Sequence, residues 1–150
     1  MESWSSKLSR WRFNFFPAYW GTGAKVTYVA HDWSEVRLQV PLNWRTHNYV
    51  GTIFGGSLYG AIDPIYMLML IKILGPGYTV WDKSASIQFK RPGRYTLYAI
   101  FKIPKEEVEF IKNELEAKPS LNLTYHVNLV DYKGRVHTSF EKIIYIRKNK

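Results

Sequence analysis

Residues Asn48 to Leu74, NYVGTIFGGSLYGAIDPIYMLMLIKIL, constrain the fold more than any other part of the chain. From Ser57 to Leu74 the run is nearly all apolar and too long for a strand, so it reads as a helix buried on every side. A domain must build its other layers around such a helix. Its front end, Gly51-Thr52-Ile53-Phe54-Gly55-Gly56-Ser57, is a loop in which residues without a Cβ admit φ > 0 or the close approach of a ligand. A glycine loop running into a helix presents unpaired N–H groups and the positive end of the macrodipole. That end can hold an anion, or an oxygen gathering negative charge. Asp63 lies inside the apolar run, where an ionised carboxylate is unfavourable without a partner. Two readings of Asp63 stay open: a reacting acid, or a structural one capped by Ser57, Tyr59 or a backbone donor at the kink imposed by Pro64. The loop likewise either serves a ligand or only permits close helix–sheet packing.

The flanking segments supply a sheet. Lys25 to Ala30 alternates weakly, while Val36, Leu38 and Val40 alternate cleanly with Glu35, Arg37 and Gln39. His31-Asp32-Trp33-Ser34 joins the two as a hairpin turn. Beyond the stop at Gly75-Pro76-Gly77, a strand over Ser84 to Lys90 sets Ala85, Ile87 and Phe89 against Ser84, Ser86 and Gln88. After the turn at Pro92-Gly93 come strands at Tyr95 to Ile103, Leu121 to Leu129 and Arg135 to Arg147. Pro104, the acids Glu106 and Glu107, and a face of Val108, Ile111 and Leu115 predict a surface helix over 104–118. Trp4, Leu8, Trp11 and Phe15 fall at i, i+4, i+7 and i+11, predicting an amphipathic helix within residues 1–20. That stripe is expected to cover the chain's own core, although a basic amphipathic helix can also lie on a membrane. The result is one α+β domain over 1–150: five or six antiparallel strands, a long central helix at 55–74, and peripheral helices.

Composition closes off several classes. At 46% hydrophobic and 17% aromatic, the chain is too apolar for disorder. Without cysteine it has no disulfide, thiolate metal site or Cys nucleophile. His31, His47, His126 and His137 show no metal-ligand spacing, and neither a Gly-x-Ser-x-Gly elbow nor a Walker loop occurs. Asp63 and Pro64 leave about ten residues of uninterrupted apolar run, short of the roughly 20 a span requires. The charged, serine-broken start is no signal peptide. These features predict a cytoplasmic protein without stable membrane insertion. The net charge of +9 favours an anionic partner, with basic groups at Lys7/Arg10/Arg12, Lys90/Arg91/Arg94 and Lys142/Arg147/Lys148/Lys150. No stacking platform or nucleic-acid module is visible, so nucleic acid is not expected as a partner.

An antiparallel sheet wrapped round one long apolar helix resembles the hotdog fold. Asn48-Tyr49-Val50-Gly51-Thr52-Ile53-Phe54-Gly55-Gly56, with Asp63 seven residues on, resembles the signature of phenylacetyl-CoA-type (PaaI-like) hotdog thioesterases. Ile87-Gln88-Phe89-Lys90-Arg91-Pro92 is similar to that family's next strand, and the likeness runs from about Lys25 to Ile146. With Asp63-Pro64 and Trp81-Asp82-Lys83, the chain looks closest to a thioesterase-like branch of mostly unassigned function. The resemblance implies an acyl-CoA, or another acyl thioester, as substrate, with coenzyme A entering only as part of it and no separate cofactor. It implies Gly56 N–H as donor to the thioester carbonyl, Asn48 as a polar orienter and Asp63 as base or nucleophile. Phe54, Gly55, Ser57 and Asp82 would line the substrate site, with Arg91 and Arg94 meeting phosphates. The family's His before Gly-Gly is Phe54 here, which leaves a non-catalytic acyl-CoA or lipid-binding protein as the alternative. Asp82 stands where relatives carry Ser or Thr; it either neighbours the catalytic acid or pairs with Lys83 or Arg91 on the surface. Gly56 and Asp63 lie about 10 Å apart along a helix, so one carbonyl reaches both only across a two-fold dimer. A homodimer, alone or paired into a dimer of dimers, is therefore expected.

Overall fold

The computed structural model describes residues 1–149. In chain order the elements are α1 (Trp4–Asn14), α2 (Pro17–Gly21), β1 (Lys25–Val29), β2 (Glu35–Val40), α3 (Gly55–Ile62), α4 (Ile65–Leu74), β3 (Tyr78–Phe89), β4 (Leu97–Lys102), α5 (Lys105–Ala117), β5 (Leu121–Val130) and β6 (Val136–Lys148). The six strands form one antiparallel sheet in the order β1-β2-β4-β5-β6-β3. The sheet wraps round the helix pair α3–α4, giving the hotdog architecture.

The central helix is broken where the sequence expects it. Pro64 has no N–H to donate, so α3 ends at Ile62 and α4 begins at Ile65. Taken across the break, Gly55–Leu74 is long and apolar enough to cross a bilayer by length and composition alone. Its residues Ala61, Ile62, Ile65, Met69 and Leu70 are instead buried against the sheet, meeting Leu38, Leu97, Phe101, Phe140 and Ile144 in one core. Gly75, at φ 78, terminates the helix in a conformation that glycine adopts without strain.

Alternation carries the strands. β4 turns Leu97, Ala99 and Phe101 inward and leaves Tyr98 and Ile100 outside. The weak alternation of β1 has a local cause: a bulge between Val26 and Tyr28 resets its register against β2. A bulge also explains why β3, at 12 residues, is longer than its sequence pattern. Lys83 has no partner on β6, so the inward positions are Val80 and Asp82 before it, then Ala85 and Ile87 after it. The change of parity hides the strand's first half, Tyr78 to Lys83, from a period-two reading.

The N-terminal helix corrects an expectation. Trp4, Leu8, Trp11 and Phe15 do form a single stripe, but it faces away from the core, and each of the four is more than half exposed. The side of α1 turned to the protein is largely polar. Ser6 Oγ donates to Ala30 O at 3.2 Å, and Asn14 both donates to Val26 O and accepts from Val26 N–H. Glu2, just before the helix, accepts from Val29 N–H and from Arg10. These bonds satisfy backbone groups along the free edge of β1, which an unprotected edge would offer to other chains. Phe13 packs on the core beside buried Tyr19, with ring centroids 4.3 Å apart.

Candidate active site

Asp63, the unexplained acid, finds its partner on β6. Lys142 Nζ donates to Asp63 Oδ1 at 2.5 Å and lies 2.9 Å from Asp82 Oδ2. The Lys142 side chain is 3% exposed, whereas Asp63 and Asp82 retain 37% and 25%. One buried ammonium therefore bridges two carboxylates that still reach solvent. Burial pulls the Lys142 amine down, but hydrogen bonds and charge from Asp63 and Asp82 outweigh it and hold the amine above its ordinary value. Desolvation raises the Asp82 carboxyl, Lys142 lowers it and the Asp63 charge raises it again; the net shift is upward. Asp82 Oδ1 is buried without a hydrogen-bond partner. Neither Lys83 nor Arg91 pairs with Asp82, and the bulge at Lys83 is what turns Asp82 inward.

Sequence reading missed Lys142 by grouping it with the surface cations Arg147 and Lys148. The signal was present: Phe140, Lys142, Ile144 and Ile146 occupy successive inward positions of one strand, a row in which a lone lysine is buried.

The glycine loop is organised by Asn48. Its Oδ1 accepts from Val50 and Thr52 N–H, and its Nδ2 donates to Thr52 Oγ1 at 2.8 Å. The Asn48 amide is thus engaged in holding the loop. Ile53 N–H bonds to Gly93 O and Phe54 N–H to Thr46 O, fixing the approach to α3. The Phe54 carbonyl accepts from both Ser57 and Leu58 N–H, while the Gly55 and Gly56 N–H groups make no hydrogen bond among the described residues. Both glycines also have a packing reason. A Cβ on Gly56 would meet the exposed Phe54 ring at 2.3 Å, and one on Gly55 would meet the Phe89 ring at 3.0 Å. Ser57 is buried in the first turn.

Within one protomer the expected residues fall into separate groups. Asn48, Thr52, Gly55, Phe89, Lys90 and Arg91 line a surface cleft of about 330 Å³. Asp63, Asp82 and Lys142 form the ion cluster further along the helix, outside that cleft. Arg94 lines a third groove beside Tyr95, Tyr98 and Tyr132, away from Arg91. His137, buried on β6, bridges Pro92 O and the Asp131 carboxylate. No cluster of three or more His, Cys, Asp or Glu with metal-binding geometry occurs among the described residues.

Comparison with known proteins agrees with this architecture. The model for a domain of unknown function, DUF4442, matches residues 5–146. The chain belongs to the DUF4442 family. Among proteins of curated function, none matches it in sequence. Solved structures similar to this DUF4442 chain include a Pseudomonas aeruginosa protein of unknown function described as a probable thioesterase. The two share 16% identity, with 99% of each chain covered and a TM-score of 0.84. A thioesterase from Haemophilus influenzae superposes with a TM-score of 0.67 at 13% identity, covering 91% of this chain and 87% of that one. A variant of the phenylacetic acid degradation protein PaaI from Thermus thermophilus gives 0.57 at 19% identity, with 86% and 97% covered. At these identities the likeness establishes the hotdog fold and assigns no activity.

Proposed function

We propose that this DUF4442 chain hydrolyses an acyl thioester, with an acyl-CoA as the substrate class. The observation that carries the reading is Asp63: a carboxylate on the core helix, oriented by a buried lysine through one oxygen and open to solvent beyond it. Such a group serves either as base toward a water or as nucleophile toward the thioester carbonyl. The Gly56 N–H, unpaired at the N-terminus of α3, is the donor for the oxyanion. Lys142 positions Asp63 rather than meeting substrate. No cofactor is invoked; coenzyme A enters as part of the substrate, with Arg91 near its phosphates.

The two halves of the site come together across a two-fold homodimer in this reading. β3 pairs with β6 on one side only, so its other edge is free, and Trp81 and Phe89 on it are exposed. Antiparallel pairing of two β3 edges, centred near Ala85 and Ser86, sets Asp82 of one protomer opposite the Phe89 region of its partner. The Phe89 ring lies against Gly55, so one protomer's ion cluster then faces its partner's glycine loop.

A second reading rests on Phe54. Its ring lies over Gly56, where a hydrogen-bonding side chain would serve catalysis, and this favours a protein that holds an acyl-CoA without turning it over. Thiol release from a panel of acyl-CoAs separates the two. Hydrolysis abolished in Asp63→Asn supports the enzyme, and acyl-CoA binding without thiol release supports the second reading.

A further inference from the structure

The apolar stripe of α1 is turned outward, and the surroundings of that stripe identify a partner. We propose that α1 is an interfacial docking helix, which lays Trp4, Leu8, Trp11 and Phe15 on an anionic membrane surface. The inference does not depend on the hydrolysis reading.

Three observations carry it. First, the helix is inverted: its polar residues Ser6 and Asn14 bond to Ala30 and Val26, and of its large apolar residues only Phe13 packs inward, while Trp4, Leu8, Trp11 and the following Phe15 face solvent. A short helix that only covered a core would present the reverse. Secondly, cations frame the stripe. At about 100° per residue, Lys7 and Arg12 fall roughly 70° to either side of its centre, and both are exposed. Lys7 Nζ lies 5.6 Å from the Trp4 ring centroid, so its charge stands beside the apolar face. Thirdly, Trp4–Asn14 contains no acid, and the nearby Glu2 is neutralised by Arg10 at 2.7 Å. The chain as a whole carries +9. A second protein would need a complementary groove, whereas a bilayer needs only an apolar interface beneath anionic headgroups. Tryptophan at the headgroup level with lysine and arginine beside it is the arrangement such an interface selects. Just past α1, exposed Trp20 lies under Arg45 at 4.6 Å, repeating the pairing of an aromatic with a cation.

The test is co-sedimentation of the full chain with vesicles of equal parts phosphatidylcholine and phosphatidylserine, against vesicles of phosphatidylcholine alone. Binding is expected to the anionic vesicles and to weaken with salt. It should fall roughly five-fold for each of Lys7→Gln and Arg12→Gln, and be lost in the double variant Trp4→Ser/Trp11→Ser. The pair Leu8→Ser/Phe15→Ser probes the same face without removing a tryptophan, and circular dichroism confirms that each variant keeps its helix content. Failure of the wild type to sediment with anionic vesicles would overturn the proposal. So would unchanged binding in both apolar double variants. Light scattering without lipid supplies the rival outcome: if either double variant breaks a wild-type dimer, the stripe covers a second copy and the membrane reading falls.

Discussion

Lys142→Met is the substitution that asks most of this structure. Methionine nearly matches the apolar stem of lysine, so the variant removes an ammonium without opening a large cavity. Asp63 and Asp82, each within hydrogen-bond reach of one nitrogen, are then left facing one another uncompensated. Removing one partner from a buried ion pair costs about 3–5 kcal/mol. Both acids keep some exposure, 37% and 25%, so water screens part of the repulsion and the low end applies, about 3 kcal/mol. For a domain of this size that lowers Tm by about 6–12 °C. The pH dependence follows from the same picture. Without the ammonium, the Asp82 carboxyl, already raised by burial, loses the partner that lowers it and titrates further above its unfolded value of about 3.9. A group raised in this way stabilises the fold below its unfolded value and loses that contribution as pH rises through the folded one. The deficit should therefore be largest at pH 7 and narrow toward pH 4. Urea unfolding across that range measures it, and adding Asp63→Asn and Asp82→Asn to Lys142→Met should restore most of the loss. A single variant within about 0.5 kcal/mol of wild type at pH 7, with no pH trend, would refute the claim that these three groups form one coupled cluster.

Other outcomes follow from neighbouring features. Asp63→Asn should abolish thiol release from acyl-CoA while changing the unfolding midpoint far less than Lys142→Met, because an amide still accepts from the Lys142 ammonium. Gly56→Ala drives a Cβ to 2.3 Å from the Phe54 ring; the exposed ring can swing aside, so stability should change by less than about 1 kcal/mol while turnover, read by thiol release, is lost. The chain has no cysteine, so Ser86→Cys carries a single thiol. Oxidation should give a covalent dimer on a denaturing gel if β3 edges pair, and monomer alone would count against the two-fold site. Asp131 is raised by burial but lowered further by hydrogen bonds from Arg135 N–H, His137, the Arg135 side chain and Lys133 N–H, and ends well below the usual carboxylate range. Its stabilisation is present above the unfolded value and lost as pH falls, so the gap in urea midpoint between wild type and Asp131→Asn should close from pH 5 to pH 2.

Much of this architecture is legible in the sequence. The central helix, its break at Pro64, the cleanly alternating strands and the surface helix all follow from periodicity and stop residues. What escaped the sequence did so for identifiable reasons. Periodicity reveals that α1 has two faces but not which one the protein keeps, because hydrogen bonding to the edge of β1 outweighs the pull of four apolar side chains. Bulges in β1 and β3 break the period on which strand reading depends. Lys142 reads as a surface charge by residue type, and only its place in the row Phe140, Lys142, Ile144 marks it as buried. The Asn48 amide had a visible alternative from the start, since asparagine two and four residues before N–H groups of a tight loop is well suited to bond them. Asp63 stands out as an acid in an apolar run, but its partner lies 79 residues away on another strand, a distance over which no local pattern reports.

A single codon separates two versions of β3. With Lys83 present as an extra residue, Asp82 faces inward while Ala85 and Ile87 keep their places against the core. Without it the strand would hold one phase throughout, and Asp82, then two positions from the inward Ala85, would stay on the inner face. A chain lacking that residue would keep both carboxylates beside Lys142, because the bulge absorbs Lys83 and nothing else. The strand therefore accepts one in-frame insertion without moving any other side chain to the opposite face.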